Sequence, residues 1–447
     1  MKKRTQLKIE RLGNFGEGIA YIKNKPVFVN YALIGEEVEV ELVKNNRGNL
    51  EGQNLKVLTP SPIRVEPPCQ YYYKCGGCNL QHMPYFEMIK YKRNVINFLF
   101  NVNLRKETKH TKLNYTILSP EEYRYRNRVI LPITIYNNKI SYGLYYQDSN
   151  RFLSIDTCLI HKLNIDLILK EITNLMTKYQ IEPYNNKTKK GTIRFIQVRT
   201  NYLGELQITF ISYRSINLNE LVNDLVSNHP KVHSIFLSIN DNLRSRDFIT
   251  ENIHKLFGND YLEDRIGDVK YLIGPDSFFQ LNSKQAHNMY EEIIRIGNFT
   301  KNDIILDTYA GVSSIGIYLS NLVKQVHSIE INLNAVNAAK EAIKLNEINN
   351  LIIHKGDTLE VAKKLNLKFD AMIFNPPRTG LGKNLCNFIL GETSAKIIYV
   401  SCNPLTLVED LKILATKYTI IETTPIDMFP QTNHIESVTL LKLKNKY

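Results

Sequence analysis

The sequence predicts an α/β protein in three parts: a small antiparallel β-barrel over residues 1–60, an α+β region over 61–265, and a doubly wound, mostly parallel sheet over 266–447. Three observations carry this prediction. Short runs of alternating apolar and polar residues, broken by glycines, fill the first sixty positions. Pro60, Pro62, Pro67 and Pro68 then punctuate the chain. After residue 266 strand and helix patterns alternate, as a βαβ sheet requires. A chain of 447 residues suits roughly three domains.

In the first part the strand candidates are Leu7-Lys8-Ile9-Glu10, Pro26-Val27-Phe28-Val29 and the run Glu37 to Val43, separated at Gly13, Gly16 and Gly35 and closed by Asn45-Asn46-Arg47-Gly48. In the middle part, strands at 129–135 and 192–199 stand beside helical stretches at 84–100 and 162–178. Tyr123-Arg124-Tyr125-Arg126-Asn127-Arg128, leading into one strand, has period two. That period puts Arg124, Arg126 and Arg128 on one face, where guanidiniums suit phosphates and stack on bases. The plainer reading is a solvated strand face.

The last part begins with the apolar strand Asp303 to Asp307, followed by a helix at 314–322, a strand ending at Glu330 and a helix at 333–347. Strands at 351–354, 369–374 and 397–400 alternate with helices at 358–365, 383–390 and 404–416. Segments 418–421 and 437–443 add an edge pair, giving seven strand candidates without internal repeats.

The net charge of +13 is unevenly placed. Residues 266–447 hold 19 Lys and Arg against 18 Asp and Glu, which leaves 38 against 26 for residues 1–265. A basic half attached to a neutral one points to a polyanion such as RNA, because neutralising phosphates releases condensed counterions. No run of eighteen apolar residues and no charged-then-apolar leader after Met1-Lys2-Lys3-Arg4 is present, so a soluble cytoplasmic protein is expected.

Chemistry collects at the ends of the C-terminal strands. Asp307-Thr308-Tyr309-Ala310-Gly311 leads into a helix containing Gly316, where glycine lets backbone approach a ligand and a helix N-terminus offers free N–H groups. Ser313 stands where glycine is frequent in such loops. Glu330, ending the second strand, is placed to accept both hydroxyls of a ribose. Asp357 either reaches an adenine amino group or caps the helix at 358–365. Asp307, Gly311, Glu330 and Asp357 together describe an adenosine-methionine pocket better than a dinucleotide site. Asn375-Pro376-Pro377-Arg378 and Ser401-Cys402-Asn403-Pro404 end two further strands, which makes Cys402 a candidate nucleophile rather than a packed thiol.

Cys69, Cys75 and Cys78 form C-x5-C-x2-C with Gly76 and Gly77 inside it, and Cys158 is a possible fourth partner. Disulfides are disfavoured in a cytoplasmic protein, and thiolate ligation suits zinc or an iron–sulfur cluster without the spacing choosing between them. Cys386 reads as helix packing.

In order and spacing, the cysteine set, Phe278-Phe279-Gln280-Leu281-Asn282, Asp307-Thr308-Tyr309-Ala310-Gly311, Asn375-Pro376-Pro377-Arg378-Thr379-Gly380, Ser401-Cys402-Asn403-Pro404 and His434-Ile435-Glu436-Ser437-Val438 resemble the RNA (uracil-C5-)-methyltransferases, across nearly the whole chain. The resemblance implies an N-terminal TRAM (OB-like) barrel, a central RNA-binding domain with a [4Fe-4S] cluster on Cys69, Cys75, Cys78 and Cys158, and a class I Rossmann-like domain that uses S-adenosylmethionine. It implies Cys402 as the nucleophile adding to uracil C6, with a pKa below the ~8.5 of a free thiol. Glu436 is implied as the base, Gln280, Tyr309 and Asn375 as donor contacts, and Phe278 and Asn375 as contacts to a flipped uracil. Phe279 reads as core. The barrel and cysteines favour 23S ribosomal RNA over transfer RNA within this resemblance, and a monomer is expected.

Two positions depart from the family pattern: Asn375 where Asp is common, and Ala310 where Cys is common. An Asn amide complements both N3–H and O4 of uracil. Asn-Pro-Pro also opens the motif of enzymes that methylate adenine or amide nitrogens, so an N-methyltransferase is an alternative. A ribosome-assembly factor with a decayed site is another.

Overall fold

Each of the three sequence patterns becomes a separate sheet in the computed structural model of the protein, which describes residues 4–444 apart from 46–47, 246–247, 366 and 393. Met1 to Lys3 and the turn residues Asn46 and Arg47 lie outside the described residues.

The N-terminal alternation forms six strands, in the spatial order 4–8, 37–44, 50–59, 25–29, 18–22 and 11–12. Period two sends Val38 and Val40 inward to meet Leu7, Ile9, Ala20, Val27 and Val29, while Glu37 stays in solvent. The middle region forms a seven-stranded sheet in the order 152–154, 139–145, 128–136, 193–200, 206–212, 232–239 and 253–258. Helices Leu163–Lys178 and Asn219–Asn228 cover it, sharing a core that includes Ile168, Leu169, Ile208, Phe210 and Leu221.

The C-terminal sheet contains β1 (Ile304–Thr308), β2 (Gln325–Glu330), β3 (Leu351–Lys355), β4 (Ala371–Phe374), β5 (Lys396–Ser401), β6 (Tyr418–Ile426) and β7 (Glu436–Leu443). Its order is β3-β2-β1-β4-β5-β7-β6, with the short strand Lys112–Leu113 added beside β6. The helices are α1 (Ser283–Gly297), α2 (Ser314–Leu319), α3 (Leu333–Leu345), α4 (Thr358–Leu365), α5 (Gly382–Gly391) and α6 (Pro404–Leu414). Strands β1 to β6 are parallel and β7 alone runs against them. The expected edge pair is therefore corrected in one respect, since β7 inserts between β5 and β6. Strand order reverses between β1 and β4, which opens a crevice at their carboxyl ends.

Two segments cross the expected boundaries. Helix Tyr85–Asn103 turns Met88, Val95, Ile96 and Leu99 into the core formed by Leu407, Leu411 and Tyr418 of the C-terminal sheet, away from the middle one. Lys92 of this helix is fully buried and donates to Asp427 Oδ1 at 2.5 Å and to Phe429 O at 3.1 Å. The expected division at 265/266 falls inside a hairpin, Leu262–Ile266 with Val269–Ile273, which packs Ile266, Tyr271 and Ile273 against Met289, Ile293 and Val312. Both are amphipathic, and each went to the apolar face that lacked a cover, which local pattern does not reveal.

Candidate active site

Antiparallel register brings the two chemical residues together. Ser401, at the end of β5, pairs with Ser437, so the next residues out, Cys402 and Glu436, face each other across the strand pair. Cys402 occupies the turn between β5 and α6, whose first turn Asn403 caps by accepting from Leu405 N at 3.2 Å. Glu436 opens β7 and is 7% exposed. Burial raises its pKa to about 8, opposed by Arg378. Cys402 is pushed up to about 11 by burial and by the Glu436 carboxyl, with Arg378 again opposing. The expectation of a lowered thiol pKa is thus corrected: a partly buried thiol beside a carboxyl group holds its proton more tightly.

Arg378 carries no role in the sequence pattern. It is the cation that faces both groups, and it lies within reach of His434, 3.3 Å from Nη2 to Nε2. Its carbonyl accepts from Asn403 Nδ2 at 2.9 Å and Thr406 Oγ1 at 3.2 Å, tying the loop after β4 to the turn that carries Cys402. Asp410 of α6 holds the far end of that loop, accepting from Leu381 N at 2.7 Å, Gly382 N at 3.2 Å and the Tyr399 hydroxyl at 2.7 Å. Nothing in the spacing of Asp410 signals this. Asn375 is half-buried at the mouth of β4 and has no side-chain hydrogen-bond partner among the described residues.

The crevice between β1 and β4 is built from groups that suit an adenosyl ligand. Glu330 is fixed by Gly311 N at 2.7 Å and Asn332 N at 2.8 Å, and a carboxylate so held keeps lone pairs for ribose hydroxyls. Asp307 is buried, with a pKa raised to about 7 by burial. Its Oδ2 accepts from Gly316 N at 3.0 Å and Ser328 Oγ at 3.2 Å, while Oδ1 is buried without a partner among the described residues. Tyr309, Gly311 and Ser313 all have left-handed φ near 55°, so Ser313 adopts the conformation that glycine favours and secures it with a 2.7 Å bond to Ser328 Oγ. Asp357 caps α4 through Leu359 N at 2.9 Å and Glu360 N at 3.1 Å. The capping alternative is therefore observed, and its outer position leaves it facing solvent.

Phe278 to Gln280 alternates as a reading loop should: Phe278 is 55% exposed, Phe279 is core, and Gln280 is buried beside Tyr290. Residues of the middle sheet grip this loop at both ends. Arg199 Nη2 donates to Ser277 O at 2.7 Å, and Asn127 Nδ2 to Gln280 O at 3.0 Å.

The arginine face does not form as expected. The strand begins only at Arg128, and Arg124, in left-handed conformation, breaks the alternation. Arg124 instead binds Asp166 Oδ2 at 2.9 Å and the carbonyls of Cys158 and His161. Arg126 bonds the Arg128 carbonyl and lines the cavity between the cysteines. Arg128 is half-buried beside its ladder partner Arg199, and its pKa is lowered to about 10 by desolvation and by the Arg126 charge.

Cys69, Cys75, Cys78 and Cys158 are free thiols lining one cavity of about 140 Å³. Their donor set and shared cavity fit a thiolate-bound centre. Among the described residues, however, no three His, Cys, Asp or Glu side chains converge tightly enough to hold a metal ion. Cys386 is buried in α5, as expected.

A sequence profile described as tRNA (uracil-5-)-methyltransferase matches residues 85–444, and a TRAM domain profile matches residues 3–55. The chain belongs to the tRNA (uracil-5-)-methyltransferase family. This methyltransferase is 34% identical to an uncharacterized RNA methyltransferase of Staphylococcus epidermidis, over 98% of its own length and 97% of the relative's. An uncharacterized RNA methyltransferase of Clostridium tetani is also 34% identical, over 97% and 95%. The crystal structure of the Pyrococcus abyssi tRNA (uracil-54, C5)-methyltransferase with S-adenosyl-L-homocysteine superposes with a TM-score of 0.78 at 26% identity, covering 98% of this chain and 99% of that one. The methyltransferase is therefore an S-adenosylmethionine-dependent RNA-modifying enzyme with the expected fold. No helix among the described residues is long and apolar enough to cross a membrane.

Proposed function

We propose that the protein transfers a methyl group from S-adenosylmethionine to C5 of a uridine in RNA through a covalent Cys402 adduct. The observation that carries this reading is the placement of Cys402, past the carboxyl end of β5, opposite Glu436 at the amino end of the antiparallel β7. Uracil C5 is a poor nucleophile on its own. Once Cys402 has lost its proton, the thiolate adds to C6, and the C5=C6 pair moves toward C5 and O4 as an enolate. C5 takes the methyl group from the donor sulfonium, which leaves S-adenosylhomocysteine. The Glu436 carboxylate then takes the C5 proton, C5=C6 re-forms, and the thiolate departs. Net, uridine and donor give 5-methyluridine, S-adenosylhomocysteine and one proton. Gln280, Tyr309, Gly311 and Glu330 hold the donor, joined by Asp357 through Oδ2, which its two capping bonds to Oδ1 leave over, while Phe278 and Asn375 take the flipped base.

RNA containing 5-fluorouridine tests the adduct, because fluorine at C5 cannot be removed as a proton. The parent protein is expected to form a complex stable in denaturant, and Cys402→Ala none. An N-methyltransferase using Asn375-Pro376-Pro377 would instead keep its activity after Cys402→Ala. A decayed assembly factor would bind RNA without transferring methyl.

The first substrate reading is 23S ribosomal RNA, from the resemblance in the sequence. A second reading, transfer RNA, is supported by the archaeal tRNA enzyme that matches this chain end to end, its N-terminal region included. The barrel therefore does not separate the two. Mass-spectrometric mapping of 5-methyluridine in both RNAs, with and without the protein, decides.

The four cysteines are proposed to hold a [4Fe-4S] cluster, supported by four thiols lining one cavity of about 140 Å³, where one water needs only about 10–15 Å³. Such a centre would tie segment 69–78 to the loop of Cys158, a structural role. Anaerobically purified protein is expected to contain iron and sulfide in equal amounts; stoichiometric zinc would overturn this reading.

A further inference from the structure

Tyr115 is 87% exposed, more than any other large apolar side chain among the described residues. It is held in place rather than merely left out. Arg93 lies 5.3 Å from the ring centre, and its guanidinium is anchored by bonds of 3.0 Å to the carbonyls of Asn114 and Leu113. Further toward the N-terminus of the same helix, Lys90 sits 4.2 Å over the ring of Phe86, itself 64% exposed, while also bonding Glu87 at 2.8 Å. Positions 86, 90 and 93 lie one above another on a helix, so the two aromatic–cation pairs form one stripe. The connection from the helix to Lys112–Leu113 presents Arg105, Lys106, Lys109 and Lys112 to solvent. Among the described residues Arg105, Lys106 and Lys109 form no ion pair, Lys112 stands beside Glu422 of β6 and helps lower its pKa, and Glu107 is the acidic residue within the segment.

Topology relates this stripe to the site. Strand Lys112–Leu113 runs parallel to β6, and Ile117 bridges Ile426, so Tyr115 lies two residues short of the carboxyl edge where Cys402 stands. From β5 through β7 and β6 to this strand is three steps of about 4.8 Å, or about 15 Å. A few nucleotides of strand span that distance. Exposed rings backed by cations stack on any base, and unpaired lysines and arginines take phosphates.

We propose that Phe86, Tyr115 and the basic 105–112 segment form a track for the RNA strand flanking the target uridine. Bases stack on the two rings, and phosphates meet Arg105, Lys106, Lys109 and Lys112. This rests on RNA as the substrate but not on the chemistry of Cys402. Binding of fluorescent oligouridylates, in a short form that fills only the catalytic edge and a longer form that reaches the flank, tests it without methyl transfer. Tyr115→Ala is expected to weaken the long form about 5–100-fold and leave the short form unchanged, with Tyr115→Phe restoring affinity. Lys106→Gln with Lys109→Gln is expected to reduce the slope of log affinity against log salt by about 1–2 on the long form. Parent-like affinity and slope on the long form would overturn the track, as would equal losses on both lengths.

Discussion

In the proposed mechanism Cys402 and Glu436 must both give up protons before they act, and burial holds both protons on. The thiol is pushed up to about 11 and the carboxyl to about 8. The active forms of both groups are the deprotonated ones, and both accumulate as pH rises. Turnover is therefore expected to climb steadily between roughly pH 6 and 9, near tenfold per pH step on the acid side of Glu436. A rate profile that is flat over that window would contradict the assignment. Glu436→Gln removes the base without removing the nucleophile. It is expected to slow release by about 10²–10⁴-fold and to accumulate methylated RNA attached to Cys402, visible as a shifted band on a denaturing gel. Arg378 opposes both upward shifts, so Arg378→Gln is expected to move the profile toward higher pH, measurable in the same assay.

At the level of elements, the donor crevice depends on the close approach of α2 to β1 and β2. A Cβ added to Gly316 meets Ser328 Oγ at 2.5 Å, Ser313 Oγ at 2.6 Å and Asp307 Oδ2 at 3.0 Å. Gly316→Ala is expected to cost about 1–3 kcal/mol of stability. It should also shrink the thermal stabilisation given by S-adenosylhomocysteine. Helix Tyr85–Asn103 is pinned to the C-terminal sheet by the buried Lys92–Asp427 pair. Lys92→Ala leaves Asp427 buried without its cation and is expected to destabilise by about 3–5 kcal/mol in denaturant unfolding. These elements were legible as helices from their periodicity, with ends within a few residues. Their seats were not: the same amphipathic stripe on Tyr85–Asn103 fits any apolar face, and only the complete sheet shows that α6 and β6 offered one.

Across the whole molecule, the features proposed to face RNA lie far in sequence from the proposed reacting groups. The N-terminal sheet, the middle sheet that grips Ser277 and Gln280, and the flank with Tyr115 all lie in the basic first 265 residues, whereas the reacting groups lie in the nearly neutral remainder. Charge distribution alone exposed that division. The strand–helix alternation of the C-terminal part, the alternation behind the N-terminal sheet, and the strand-end positions of Asp307, Glu330, Asn375 and Cys402 are legible in the residues alone, because they follow from local periodicity and from turns at strand ends. Long-range pairing is what puts β7 beside β5, so that Glu436 meets Cys402 and Arg378 faces both, and long-range charge contact gives Arg124 to Asp166 instead of an open strand face. The reason is physical: pairing, burial and charge contact join residues far apart in the chain, and their energies depend on neighbours that no local window contains.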